Sequence, residues 1–79
     1  MAYAYFTDFI NSVTKVRYNY VFTDKDMFHA RLHARDVAQQ IDAWPTMVRR
    51  IDKRTYNIFK DQYATPTPYS WPVEEDENV

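Results

Sequence analysis

The sequence has no glycine and no cysteine among its 79 residues. Without cysteine there are no disulfides, no thiolate metal site and no thiol nucleophile, so a small core has to hold by packing alone or against a partner. A reducing, cytoplasmic setting fits that composition. Without glycine, the Gly-rich phosphate loops, the dinucleotide fingerprint and the nucleophile elbow lose their usual forms. The same lack argues against tight hairpins, because glycine most easily supplies the positive φ they need, although Asn and Asp also supply it. The start, Met1-Ala2-Tyr3-Ala4-Tyr5-Phe6-Thr7-Asp8, lacks a basic segment followed by an apolar run, and no apolar stretch approaches the ~20 residues that span a bilayer. The expectation is a single domain that is neither secreted by this route nor membrane-spanning.

Charge is present but unevenly placed. All ten Lys and Arg lie between Lys15 and Lys60, and four of the eleven acids crowd into Glu74-Glu75-Asp76-Glu77. Residues 1–73 therefore hold ten cations against seven acids, a balance of +3, and the tail holds −4. A mildly basic body attracts nucleic acid or an acidic protein, and an acidic tail competes for the same face.

Apolar residues recur three and four apart in three segments. Phe6, Phe9, Ile10, Val13, Val16 and Tyr20 share one side of a helical wheel and predict a helix over residues 3–21. Met27, Ala30, Ala34, Val37, Ile41 and Trp44 predict a second over 24–43, with Thr23 and Asp26 as a variant capping box. Pro45 in a first turn, then Met47, Val48, Ile51, Thr55, Ile58, Phe59 and Tyr63, predict a third. The fold class expected is all-α, a small three-helix bundle over residues 1–63, followed by an extended Pro-rich segment and acidic C-terminal tail over 64–79. The Pro-rich run is expected to fold back with Tyr69 and Trp71 over an open side of the bundle, and the acidic end to be disordered. The competing reading is an α+β fold with an antiparallel hairpin at 16–33, because residues 16–22 are aromatic and β-branched and Phe28, Ala30 and Leu32 alternate.

Little here suits catalysis, and the chain is read as a non-enzyme without a cofactor. His29 and His33 stand at i, i+4, the spacing of paired zinc ligands, with Asp26 or Asp36 as a third ligand. Arg31 and Arg35 beside them repel a cation, so the histidines are read as solvent-facing and no metal is assigned. The remaining acids read as surface charge. Asp52, inside the apolar arc of the third segment, is expected to reach the rim and pair with an Arg or a Tyr hydroxyl.

Two binding readings remain. The leading one is a protein-binding module, an adaptor or inhibitor, using Phe28, Leu32, Arg31, Arg35 and Gln39. Phe28, Leu32, Arg35 and Gln39 lie off the main stripe at spacings of four, three and four, and an exposed apolar patch fringed by arginine is enriched at protein interfaces. In a bundle the same Phe28 and Leu32 are equally well placed as core. With fourteen aromatic residues in so short a chain, Tyr5, Tyr18, Tyr56 and Tyr69 are further candidates for contact. Small stand-alone proteins of this kind are common among accessory products of bacterial viruses, an association with no motif behind it. The second reading is nucleic-acid binding through a basic third helix, with Arg49, Arg50, Lys53, Arg54, Asn57 and Lys60 presented in a helix-turn-helix-like arrangement. A homodimer is left open.

Overall fold

A computed structural model describes residues 2–69, and the expectations for Trp71 and the acidic tail lie outside them. The elements follow in the order β1 (Tyr3–Asn11), β2 (Arg17–Asp24), α1 (Met27–Gln40), β3 (Ala43–Ile51), α2 (Lys53–Phe59) and β4 (Thr67–Tyr69). The four strands form one sheet in the order β3-β1-β2-β4, with every neighbouring pair antiparallel. The all-α bundle is therefore wrong. The competing α+β class fits, but its hairpin lies elsewhere: β1 pairs with β2 from Tyr3↔Asp24 to Ile10↔Arg17, and residues 28–33 are helical.

The first predicted helix fails because β1 is a central strand covered on both faces. Apolar residues then occupy consecutive positions, and such a run matches a helical stripe as easily as a strand. On one pleat Tyr5, Thr7 and Phe9 are almost completely buried; on the other Ala4 and Asp8 are buried too. The missing glycine did not prevent the turns. Lys15 (φ 65°) and Asp42 (φ 55°) take the positive-φ positions themselves. In the β1–β2 turn the Asn11 side-chain oxygen accepts from the N–H groups of Val13 (2.8 Å) and Thr14 (2.9 Å), so the loop supplies its own hydrogen bonds.

The third predicted helix breaks into a strand and a short helix. Pro45 opens no helix; it sits in β3, an outer strand, where a missing N–H is tolerated. A bulge beside it, between Asp8 and Phe9 of β1, leaves Thr46 without a partner, and its hydroxyl donates to the Asp8 carbonyl at 3.0 Å. Asp52 does not reach for an Arg or a tyrosine. It is the N-cap of α2, its carboxylate accepting from the Thr55 N–H at 2.8 Å.

The core lies between the sheet and α1. Tyr5, Phe9, Tyr20 and Phe22 rise from the sheet, with Tyr20 and Phe22 stacked at 5.1 Å, and meet Ala30, Ala34 and Ala38 of the helix. Asp26 caps α1 by accepting from the His29 N–H at 2.8 Å. On the other sheet face Thr55, Phe59 and Tyr63 share a hollow with Phe6, Asn19, Arg49 and Ile51. The β2 edge is closed by β4 and by the Tyr63 carbonyl, which accepts from the Val21 N–H at 2.9 Å. The β3 edge pairs with β1 alone, leaving its outer side without a strand among the described residues.

Candidate interaction surfaces

The first surface is the outer side of α1. Because Ala30, Ala34 and Ala38 face the sheet, the residues roughly half a turn away face solvent, among them Phe28, Leu32, Arg35 and Gln39. Phe28 is 67% exposed and Leu32 46%. Of the two places open to them, core or surface, they occupy the surface. Leu32, Arg35, Asp36 and Gln39 line a shallow depression. Arg35 and Gln39 also line a larger groove of about 560 Å³, together with Asn11, Ser12, Val13, Thr14, Asp42, Ala43, Trp44 and Pro45. These two shared residues join the helix face to the groove, so one surface runs from Phe28 to Trp44, which is 66% exposed. Arg31 is exposed on the same helix, and neither it nor Arg35 has an ion pair among the described residues.

The walls of the groove are held by backbone contacts. The Ser12 N–H donates to the Asp42 carbonyl at 3.2 Å, and the Asn11 side-chain amide donates to the Ile41 carbonyl at 3.3 Å. The β1–β2 turn is thereby tied to the α1–β3 turn. Sequence reasoning missed Trp44 and Val13 as surface residues: Val13 fell on the apolar stripe of a helix that does not form, and Trp44 on that of the second predicted helix, which ends at Gln40 before reaching it. The tyrosines divide: Tyr5 is buried and unavailable to any partner, Tyr18 and Tyr56 are half-buried, and Tyr69 lies in β4.

The second surface is the corner between β3 and α2. Arg49 and Arg50 lie just before Ile51, the last residue of β3, and alternation sends them to opposite sheet faces; Lys53, Arg54 and Asn57 lie in α2, and Lys60 is its C-cap. They do not form one face of one helix. The helix-turn-helix-like arrangement fails with the bundle, since α2 has seven residues and follows a strand. The structure nevertheless brings Arg49, Arg50, Lys53 and Arg54 to one corner, all exposed. Tyr3, from β1, adds an aromatic ring with the Arg50 guanidinium 3.9 Å above its centroid.

The two histidines are drawn to different partners. His29 Nδ1 lies 2.8 Å from Asp26. His33 is half-buried, with Nδ1 3.2 Å from Asp24 and Nε2 2.9 Å from the Tyr20 hydroxyl, and its ring packs on Phe22 at 4.3 Å. Burial, and secondarily Tyr56, raise the Tyr20 pKa above its ordinary value, so the hydroxyl keeps its proton in the hydrogen bond with Nε2. The Asp24 carboxylate can only accept, so His33 donates to it from Nδ1, and the chain Tyr20–His33–Asp24 fastens α1 to β2. The reading of His33 as simply solvent-facing is corrected. Among the described residues no group of three His, Asp or Glu is arranged to hold a metal.

Among the described residues no helix is long and apolar enough to cross a membrane. No protein-family model, no curated protein and no solved structure matches this chain.

Proposed function

We propose that the chain is a non-catalytic protein-binding module, an adaptor or inhibitor that occupies a surface of another protein through the outer side of α1. Phe28 and Leu32 form the apolar centre, Arg31, Arg35 and Gln39 the polar fringe, and Trp44 the far anchor across the groove. The observation that carries this reading is the exposure of Phe28 and Leu32 on a helix that already buries a complete inner stripe of alanines. Large side chains that packing does not require are the usual energetic centres of an interface, with Trp and Arg the residue types most enriched there.

The test compares the wild-type chain with a Phe28→Ala/Leu32→Ala variant, each immobilised and exposed to a lysate of the source cell, with retained proteins quantified by mass spectrometry. A specific protein held by the wild type and lost by the variant, at unchanged melting temperature, is the expected result. An identical retained set for two equally folded proteins excludes this surface.

A further inference from the structure

The register of β1 puts the β3–α2 corner and the Trp44 groove at opposite ends of one strand, since Ala4 pairs with Ile51 and Asn11 with Ala43. We propose that the corner is a second, independent site that binds single-stranded nucleic acid, with Arg49, Arg50, Lys53 and Arg54 holding backbone phosphates and the Tyr3–Arg50 stack seating a base.

The run Arg49-Arg50-Ile51-Asp52-Lys53-Arg54 places four cations against one acid, an excess equal to that of the whole of residues 1–73. None of the four has an ion pair among the described residues. The single acid is already engaged: Asp52 caps α2, and the Thr55 hydroxyl and N–H hold its carboxyl below the usual carboxylate range. Four like charges at one corner repel each other, and a polyanion relieves that repulsion while releasing its own counterions. The corner also has a shape. Arg50 and Lys53 line an open hollow of about 560 Å³ with Ala2, Tyr3, Ala4, Ile51 and Asp52. Tyr3 is 36% exposed, and the Arg50 guanidinium centred 3.9 Å over its ring sets a cation beside the aromatic surface on which a base stacks.

The geometry favours a single strand over a duplex. A major groove admits a helix or a two-stranded ribbon, but α2 is two turns long and shares its Thr55 and Phe59 with the sheet, and β3 pairs inward with β1. A flexible strand bends around the β3 edge to reach Arg49 on one sheet face and Arg50 on the other. Phosphate contacts and stacking on a base's π face do not depend on base identity, so binding is tolerant of sequence.

The experiment is fluorescence anisotropy with the full chain, using a labelled twelve-nucleotide oligo-dT, the matching duplex, and unlabelled poly-glutamate as competitor, between 20 and 200 mM salt. Each cation on a single strand contributes about −0.7 to the slope of log affinity against log salt, so three to four contacts give a slope of roughly −2 to −3. Arg50→Ala and Lys53→Ala each flatten that slope by about 0.7. Tyr3→Leu weakens binding about tenfold and leaves the slope alone, which separates stacking from charge. Phe28→Ala/Leu32→Ala binds like the wild type, so the two surfaces fail or stand independently. The proposal is overturned if oligo-dT does not bind at 20 mM salt, if the Arg50 and Lys53 variants bind as the folded wild type does, or if the duplex binds as tightly. Poly-glutamate competing as well as oligo-dT, charge for charge, also overturns it and assigns the corner to an acidic protein.

Discussion

The two sides of α1 are built in opposite senses to an ordinary amphipathic helix. Its inward residues are small, Ala30, Ala34 and Ala38, all essentially without exposure; its outward residues include Phe28 and Leu32. The sheet explains the inversion. Tyr5, Phe9, Tyr20 and Phe22 stand up from β1 and β2 and fill the space between the layers, so the helix approaches closely and only a methyl group fits beneath it. Most core volume comes from the strands; Met27 and Val37 of the helix pack at its rim, and Phe28 and Leu32 are left over from packing.

That contrast is broken most severely from the sheet side. Phe9→Ala removes a fully buried ring and is expected to lower unfolding stability by about 3–5 kcal/mol, measured by urea titration. Ala34→Leu, which forces volume into the closely approached layer, is expected to cost about 1–3 kcal/mol in the same measurement. Leu32→Ala, two residues away on the outer side, is expected to stay within about 0.5 kcal/mol of wild type. An Ala34→Leu protein as stable as the wild type, or a Leu32→Ala protein that unfolds, would show that the two sides are not divided in this way.

The helix–strand fastening gives a comparison of the same kind within polar groups. His33→Leu strands the Tyr20 hydroxyl, whose residue is only 8% exposed, and is expected to cost about 1–3 kcal/mol. Tyr20→Phe added to that variant removes the orphaned hydroxyl and is expected to recover part of the loss. No recovery would mean that Leu at position 33 acts through packing on Phe22 instead.

How much of this was legible follows the same division. The helix α1 was readable, because it is long, capped by Asp26, and covered on one side only; its stripe through Ala30, Ala34, Val37 and Ile41 was correctly read as the packing side. Its second face through Phe28 and Leu32 was readable too, though not whether it was exposed. The strands were hidden. In β1 both pleats are covered, so Phe6, Phe9 and Ile10 matched three-and-four spacing while the pairs Tyr5/Phe9 and Phe6/Ile10 are divided between opposite faces of the sheet. Lys15 at positive φ has no sequence signal, and with no glycine to mark the turn the hairpin was moved downstream. The cations of the corner were identified one by one, but Arg49 and Arg50 were assigned to a helix because Pro45 is equally acceptable in a first helical turn and on a sheet edge. Tyr3, more than forty residues distant in sequence, is joined to them only by strand pairing.

The smallest expected effect concerns what holds the start of α1, where the inner and outer stripes begin. Asp26 accepts the His29 N–H and also faces the His29 ring; these interactions, in that order, hold its carboxyl below the usual carboxylate range. Asp24 is lowered in the same direction, first by the Lys25 N–H and then by His33. A carboxylate whose folded pKa lies below its unfolded value of about 3.9 contributes stability that is complete above that value and disappears as pH falls through the folded one. The melting temperature of Asp26→Ala is therefore expected to lie below wild type at pH 7, with the gap closing as pH falls below about 4. Asp26→Asn retains a capping oxygen and is expected to remain near wild type at pH 7, losing only the charge-dependent part. Phe28→Ala, beside the cap but outside the core, is expected to give a gap that is near zero and independent of pH. Melting curves by circular dichroism from pH 7 to pH 2 distinguish these cases. A gap for Asp26→Ala that stays constant through the acid range would assign the cap's contribution to its geometry, and a pH-dependent gap for Phe28→Ala would place that ring in contact with the titrating groups at the helix start, not free on the outer face.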